Sequence, residues 1–254
     1  MNGVGDVWTA RSKYFDKPSA NLKVVVANRY DWMNRFIEPN WKGLEVGCGA
    51  GLSRSFIRNE HFLLTDYGDY EWLDVKHVDA LHTPFEDSSF DFAICSNMIH
   101  HLAHPLRFFA EMSRILRPGG RLIVQDVHCS VPLRLALRVM RHEGYDFNVD
   151  VFDSNEVCTD PVDNWIGNNA IVDLLLEDKQ RLLREIPQFK LTYENNSEFL
   201  TFLNSGGVGA KTFYVPLPML VATWVDKLDR VLIRKFPKAF AMQVQLVFEK
   251  RHDG

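Results

Sequence analysis

From Ser19 to Ile37 the apolar residues Leu22, Val25, Val26, Met33, Phe36 and Ile37 recur at helical spacing, until Pro39 and Gly43 close the run. The period then shortens. Residues 44–46, 61–66 (HFLLTD), 75–80 (VKHVDA), 90–97 (FDFAICSN) and 121–127 (RLIVQDV) are short apolar stretches, and the last two have the composition of buried strands. Between them the spacing predicts a helix over 52–58. A second helix opens at Pro105 and keeps Leu106, Phe109, Met112 and Leu116 in phase until RPGG (117–120) breaks it. Strands alternating with helices in this way predict a parallel sheet covered on both faces, with ligands bound beyond the carboxyl ends of the strands.

After residue 130 the alternation stops. Helices are predicted over 131–142 and 171–186, and strands over 189–199 and 239–250. Between those strands Leu217, Leu220, Val221, Trp224, Val225, Leu228, Val231 and Leu232 make one apolar helical stripe. The fold class is therefore α/β: a Rossmann-like, doubly wound, mostly parallel seven-stranded sheet, with a helical cap inserted after the fifth strand and before the last. The segments divide as an N-terminal helical lid (1–40), a core (41–130), a helical cap for substrate recognition (131–188), and closing strands with an inserted helix (189–254).

A chain of 254 residues can bury a full core without disulfides or a structural metal. The formal charge of −4 argues against a general nucleic-acid binder. Cys48, Cys95, Cys129 and Cys158 are scattered, as in a reducing compartment. No signal peptide or spanning segment is apparent, so the expected location is cytoplasmic.

The candidate chemistry sits after the first strand, in Glu45-x-Gly47-x-Gly49-x-Gly51. A nucleoside-triphosphate loop would end in Gly-Lys-Ser/Thr, and a dinucleotide loop would need a glycine where Leu52 stands. Glu45, two residues ahead of the first glycine, would repel a phosphate and favour a cationic ligand such as one carrying an ammonium group.

These motifs resemble those of class I S-adenosylmethionine-dependent methyltransferases, in particular the small-molecule branch known as methyltransferase type 11. The resemblance spans roughly residues 42–127. It is carried in order by LEVGCGAG (44–51), the acid ending TD (65–66), VDALHTPFEDSSFDFAICSNMIHHLAHP (78–105) and RILRPGGRLIV (114–124). It implies S-adenosyl-L-methionine as cofactor. Glu45, Gly47, Cys48, Gly49 and Gly51 would lie along its methionine portion, and glycines there avoid a Cβ clash. Asp66 would accept from both ribose hydroxyls, with Tyr67 beside it. Asp79 would take the adenine amino group, with Ala80 and Leu81 at the ring edge, and Ser96 and Asn97 would lie beneath the sulfonium. The dozen residues separating Asp66 from Asp79 are too few for the usual full helix and strand, which leaves the adenine cover to Tyr67 or Trp72.

Catalysis would fall to the adjacent His101 and His100, with His101 favoured for contact and a local helix-start role as the alternative. His101, His104, Asp126 and His128 are candidate metal ligands, but they complete no zinc pattern, and no metal is expected. The acceptor would be chosen by the cap. Arg134, Arg138 and Arg141 share a helix face near His142, either solvated or overhanging the pocket. A looser resemblance of the later segments to bacterial glycan-biosynthesis methyltransferases points to Trp165, Asn168 and Asn169, and to a sugar, glycan or glycolipid hydroxyl. The alternatives are a methyltransferase of a lipid, quinone or secondary metabolite, or an inactive cofactor-binding partner subunit. The expected partner is a small-molecule or glycan acceptor rather than nucleic acid. The 217–232 stripe, with basic neighbours, is either buried against the protein or a peripheral membrane contact.

Overall fold

The computed structural model describes residues 7–140, 144–163, 166–209 and 212–252. Six strands form one sheet in the order β2-β1-β3-β4-β6-β5. They are β1 (Gly43–Val46), β2 (Phe62–Thr65), β3 (Phe90–Ser96), β4 (Leu116–Val127), β5 (Phe189–Ser197) and β6 (Gln243–Lys250). The first four are mutually parallel. β6 pairs antiparallel with β4 and with β5.

Alternation sends side chains to two cores. Ala93 and Cys95 of β3, Leu122 and Val124 of β4, and Leu246 and Phe248 of β6 pack with α3 (Pro105–Ile115), α5 (Ile171–Glu177) and α6 (Lys179–Glu185). Phe92, Ile94, Ile123 and Val247 face the other way, against Leu22 and Val26 of α2 (Ala20–Tyr30) and Met33. The sheet is therefore doubly wound, as the sequence predicts.

The seventh strand is absent. Residues 75–80 make only a single parallel bridge, Val75 to Thr65. A parallel crossover needs a dozen or more residues, and this connection is drawn tight instead. The Asp74 N–H donates to Leu64 O while its Oδ2 accepts from Leu64 N–H, and Val78 N–H donates to Asp66 O. His77, with φ 55°, turns the chain away. The same economy reduces the expected 52–58 helix to one 3₁₀ turn, Leu52–Ser55. The expected 171–186 helix is broken at Asp178, whose side chain caps α6 by accepting from Arg181 N–H.

Other helices border the carboxyl edge. α1 (Val7–Phe15) lies over the glycine loop, where Arg11 Nη1 donates to Ala50 O at 2.8 Å. α4 (Val131–Met140) follows β4, and α7 (Leu200–Leu203) and α8 (Met219–Lys235) lie between β5 and β6, followed by α9 (Pro237–Phe240).

Candidate active site

β1 delivers the chain into three left-handed glycines: Gly47 (φ 67°), Gly49 (φ 49°) and Gly51 (φ 66°). An L side chain rarely adopts such angles, so this loop requires glycine. β2 ends beside it. Asp66 Oδ2 accepts from Gly49 N–H at 2.8 Å and Oδ1 from Gly68 N–H at 2.9 Å. A carboxylate has about four acceptor positions, so capacity remains for two hydroxyls. A Cβ on Gly49 would meet nothing among the described residues within 4 Å, so among them the loop is open at that point.

Glu45 lies beneath the loop, fully buried. Its Oε2 accepts from the Ser53 hydroxyl, and its Oε1 has no hydrogen-bond partner. Burial pushes its carboxyl up to about 8. A cation brought to this atom would favour the ionised form.

An aromatic cluster walls the loop. Trp72 Nε1 donates to Gly49 O at 2.8 Å, and its ring stacks on Tyr70 with centroids 5.0 Å apart. Trp8 meets Trp72 edge-on at 4.7 Å, and the Arg11 guanidinium lies 4.3 Å from the Trp72 ring. Tyr67 is exposed. The sequence carries no signal for Trp8 and Arg11, because α1 shows no clear apolar face, or for Tyr70, which lies in the irregular segment after β2.

Asp79 is exposed, and its Oδ1 closes a turn by accepting from Leu81 N–H. Ala80 and Leu81 pack on the adjacent core, and Cys48 is buried. Ser96 and Asn97 end β3. Asn97 has φ 53°, donates its N–H to Gln125 O at 2.7 Å, and accepts at Oδ1 from Gln243 Nε2 at 2.9 Å.

Two histidine–aspartate pairs lie past β3 and β4. His100 Nδ1 is 2.5 Å from Asp126 Oδ1, and the pair is sealed, with side chains 4% and 0% exposed. Asp126 also accepts from the N–H groups of Met98, Ile99 and Val127, which ties the strand ends together. Burial acts to raise the Asp126 carboxyl, but the His100 ring and the Val127 and Ile99 N–H groups outweigh it and hold it below the ordinary range. His101 is half-buried beside His100, with ring centroids 4.2 Å apart. The second pair is His128 Nδ1 and Asp173 Oδ1, also 2.5 Å apart but with side chains 25% and 16% exposed. Asp173 was missed in the sequence, where its only signal is a lone acid on the apolar face of α5.

In the cap, the Arg134 guanidinium stacks 4.3 Å from the Phe147 ring, and Arg138 lies 5.8 Å from Tyr145. Asn168 and Asn169 are buried. The Asn168 N–H donates to His100 O at 2.8 Å and its Nδ2 to Asp146 O, while Asn169 Nδ2 donates to Gly144 O. The Asn168 backbone thus pins the cap to His100, while Asn169 ties the cap to itself at Gly144. Arg141, His142 and Trp165 lie outside the described residues. Among the described residues no group of three or more His, Cys, Asp or Glu side chains could hold a metal ion.

The comparisons agree on the core. Residues 44–124 match the profile of the methyltransferase domain Methyltransf_11. Over 102 residues the chain is 45% identical to phthiotriol/phenolphthiotriol dimycocerosates methyltransferase 1 of Mycobacterium ulcerans, a match covering 34% of this chain and 38% of that one. It is 26% identical over 139 residues to the tRNA U34 carboxymethyltransferase of Nautilia profundicola, covering 54% of this chain and 44% of the relative. The chain therefore spans less than half the length of these relatives. The fold is also that of a SAM-dependent methyltransferase from Archaeoglobus fulgidus, with a TM-score of 0.50 at 15% identity, covering 96% of this chain and 100% of that one. Residues 44–124 thus match the methyltransferase domain of type 11, in the fold of the S-adenosylmethionine-dependent methyltransferases.

Proposed function

We propose that the protein transfers a methyl group from S-adenosylmethionine to a hydroxyl oxygen of a small acceptor, a sugar-bearing glycan or glycolipid. The observation that carries this reading is the pairing of an open glycine loop with a buried, half-satisfied Glu45 inside the matched domain. The residues fit the cofactor. The spare acceptor positions of Asp66 suit the ribose hydroxyls. Asp79, Ala80 and Leu81 border the adenine, and Gly47–Gly51 with Glu45 take the cationic methionine end. Ser96 and Asn97 would lie beneath the sulfonium, and α1, held by Arg11, would act as the lid.

The cofactor supplies an electrophilic methyl whose S–C bond breaks as the C–O bond forms. The chain's part is alignment, worth roughly 7–11 kcal/mol at best, and removal of the hydroxyl proton, worth about 10²–10⁴ in rate. A histidine whose Nδ1 is held by a carboxylate leaves Nε2 to accept a proton. Both pairs have that form, and exposure separates them: sealed His100 positions the strand ends beside His101, whereas His128 is accessible and takes the proton. Arg134 and Arg138 suit a hydroxylated or anionic acceptor.

A second reading, a lipid acceptor without a sugar, is favoured by the 45% identity to a methyltransferase named for phthiotriol dimycocerosates. The tRNA relative does not displace a small acceptor, since this chain carries a net charge of −4.

Calorimetry with S-adenosylmethionine on wild type and Asp66→Ala tests the cofactor site, and binding that survives the substitution would sink it. A methyl-transfer assay across glycolipid, glycan and plain lipid acceptors tests the rest. His128→Ala should lower kcat about 10²–10⁴-fold with cofactor affinity unchanged, and an unaltered rate would remove the base.

A further inference from the structure

Helix α8 carries an apolar stripe that the protein does not cover. Leu220, Trp224, Leu228 and Val231 fall at i, i+4, i+8 and i+11, which places them along one face. Leu220 is 72% and Trp224 63% exposed, and Leu228 and Val231 are about half exposed (50% and 51%). The buried positions of α8 are Ala222, Asp229 and Ile233, so the face turned to the fold holds one large apolar side chain, a small residue and an acid, while the four residues of the stripe stand outside it. Monomeric proteins rarely leave an apolar patch of this kind on the surface without a use for it.

The charges of the helix are sorted in the same way. Its two acids are turned inward. Asp229 is buried and accepts from the N–H groups of Leu200 and Thr201 at the start of α7. Asp226, with a side chain 13% exposed, accepts from Asn28 Nδ2 and Arg230. Lys227, Arg234 and Lys235 are exposed at the stripe, and the Lys227 ammonium lies 5.0 Å from the Trp224 ring. Lys238, just beyond, is exposed as well. A chain with a net charge of −4 thus presents, on this one helix, apolar side chains framed by cations only.

We propose that α8 docks the protein on an anionic lipid surface, lying in the plane of the interface. Leu, Trp and Val enter the acyl boundary, and the flanking ammonium and guanidinium groups meet lipid phosphates. The helix does not cross: no helix among the described residues is long and apolar enough to do so. The proposal concerns binding alone and stands apart from the methyl-transfer reading. If both hold, the surface delivers a lipid-borne acceptor to the enzyme.

The test is flotation of the intact protein with phosphatidylcholine vesicles and with vesicles containing phosphatidylglycerol. Leu220→Ser/Trp224→Ser and Lys227→Glu/Lys235→Glu serve as variants, with circular dichroism to confirm that each stays folded and light scattering to report its mass. Wild type should float with the anionic vesicles and release them as salt rises from about 0.1 M to about 0.5 M. The serine variant should lose binding on either vesicle. Each basic residue removed should lower the partition coefficient about fivefold. Failure to float, equal flotation on neutral vesicles, or flotation retained by the serine variant would overturn the proposal. A wild-type dimer that the serine substitutions dissociate would also overturn it, and would assign the stripe to a second copy of the chain.

Discussion

Glu45 and Glu198 occupy equivalent predicaments in the two halves of the sheet. Glu45 sits on β1 in the parallel half, and Glu198 follows β5 in the antiparallel half. Both are sealed from water. Glu198 accepts a forked pair of bonds from Arg29 Nε and Nη2, each 3.0 Å at its shortest, and another from Gln125 Nε2. That network continues through Gln243 and Gln245 to Asn97 and Asn195, so the polar face of β4, β6 and β5 bonds to itself beneath α2. Glu45 has hydroxyl partners, Ser53 and Tyr30, and among the described residues it forms no ion pair, the Arg54 charge acting on it only from a distance. Burial pushes both carboxyls up; in Glu198 a hydrogen-bonded guanidinium pulls back, whereas in Glu45 the Ser53 and Tyr30 hydroxyls and the more distant charge of Arg54 do. A buried charge that finds its counter-ion within the fold serves the fold. One left half-satisfied at the edge of an open loop is, on the proposed reading, held for a ligand.

The largest effect should come from breaking the satisfied pair. Arg29→Ala leaves Glu198 buried and uncompensated, at a cost of about 3–5 kcal/mol. Urea denaturation would measure it, and Arg29→Met/Glu198→Gln should recover most of the loss. If the single substitution proved neutral, the contrast between the two glutamates would collapse.

Glu45→Gln should act in the opposite direction. The folded-state value is raised from 4.5 to about 8, so the fold prefers the protonated acid and loses stability as pH rises between those values. The slope is about 1.4 kcal/mol per pH unit. The substitution removes that slope and, near pH 8, should stabilise the ligand-free protein by up to about 4 kcal/mol. It should also weaken binding of cationic S-adenosylmethionine. Denaturation at about pH 5.5 and about pH 8.5 isolates the term as the difference between variant and wild type. Equal pH dependence in the two proteins would show that Glu45 finds its partner inside the fold after all.

Legibility from the sequence followed the same division. The loop, Glu45, Asp66 and the strands β1 to β4 were readable, because glycine spacing and unbroken apolar runs are local signals. The seventh strand was misread. Val75 and Val78 carry the composition of a strand, but ladder pairing depends on the length of the connection, and Asp74 closes that connection on Leu64. The Arg29–Glu198 and His128–Asp173 pairs join residues 169 and 45 positions apart, distances at which no periodicity operates. Periodicity predicted the α8 stripe but not its exposure, since the pattern is identical whether the face packs inward or stands in water. Asn168 and Asn169, which the looser resemblance offers as acceptor contacts, turn their side-chain amides to backbone groups of Asp146, Cys158, Ala170 and Gly144.

The smallest effects separate the glycines of the loop from one another. Gly49→Ala and Gly51→Ala both place an L residue at positive φ, which costs roughly 1–2 kcal/mol. Around Gly51 the new Cβ would stand 2.7 Å from Trp72 Cδ1 and 3.1 Å from Leu64 Cδ1, so the indole must shift and its bond to Gly49 O is put at risk. Around Gly49 the Cβ meets no atom of the described residues within 4 Å. Gly51→Ala should therefore lower stability beyond the backbone cost, while Gly49→Ala pays that cost alone and folds normally. If the space beside Gly49 belongs to the cofactor, the milder variant in denaturation becomes a severe one in calorimetry, with affinity for S-adenosylmethionine reduced by about tenfold or more. Undiminished affinity in Gly49→Ala would place the cofactor elsewhere along the edge, because a methyl group cannot share that space with a ligand packed against the backbone.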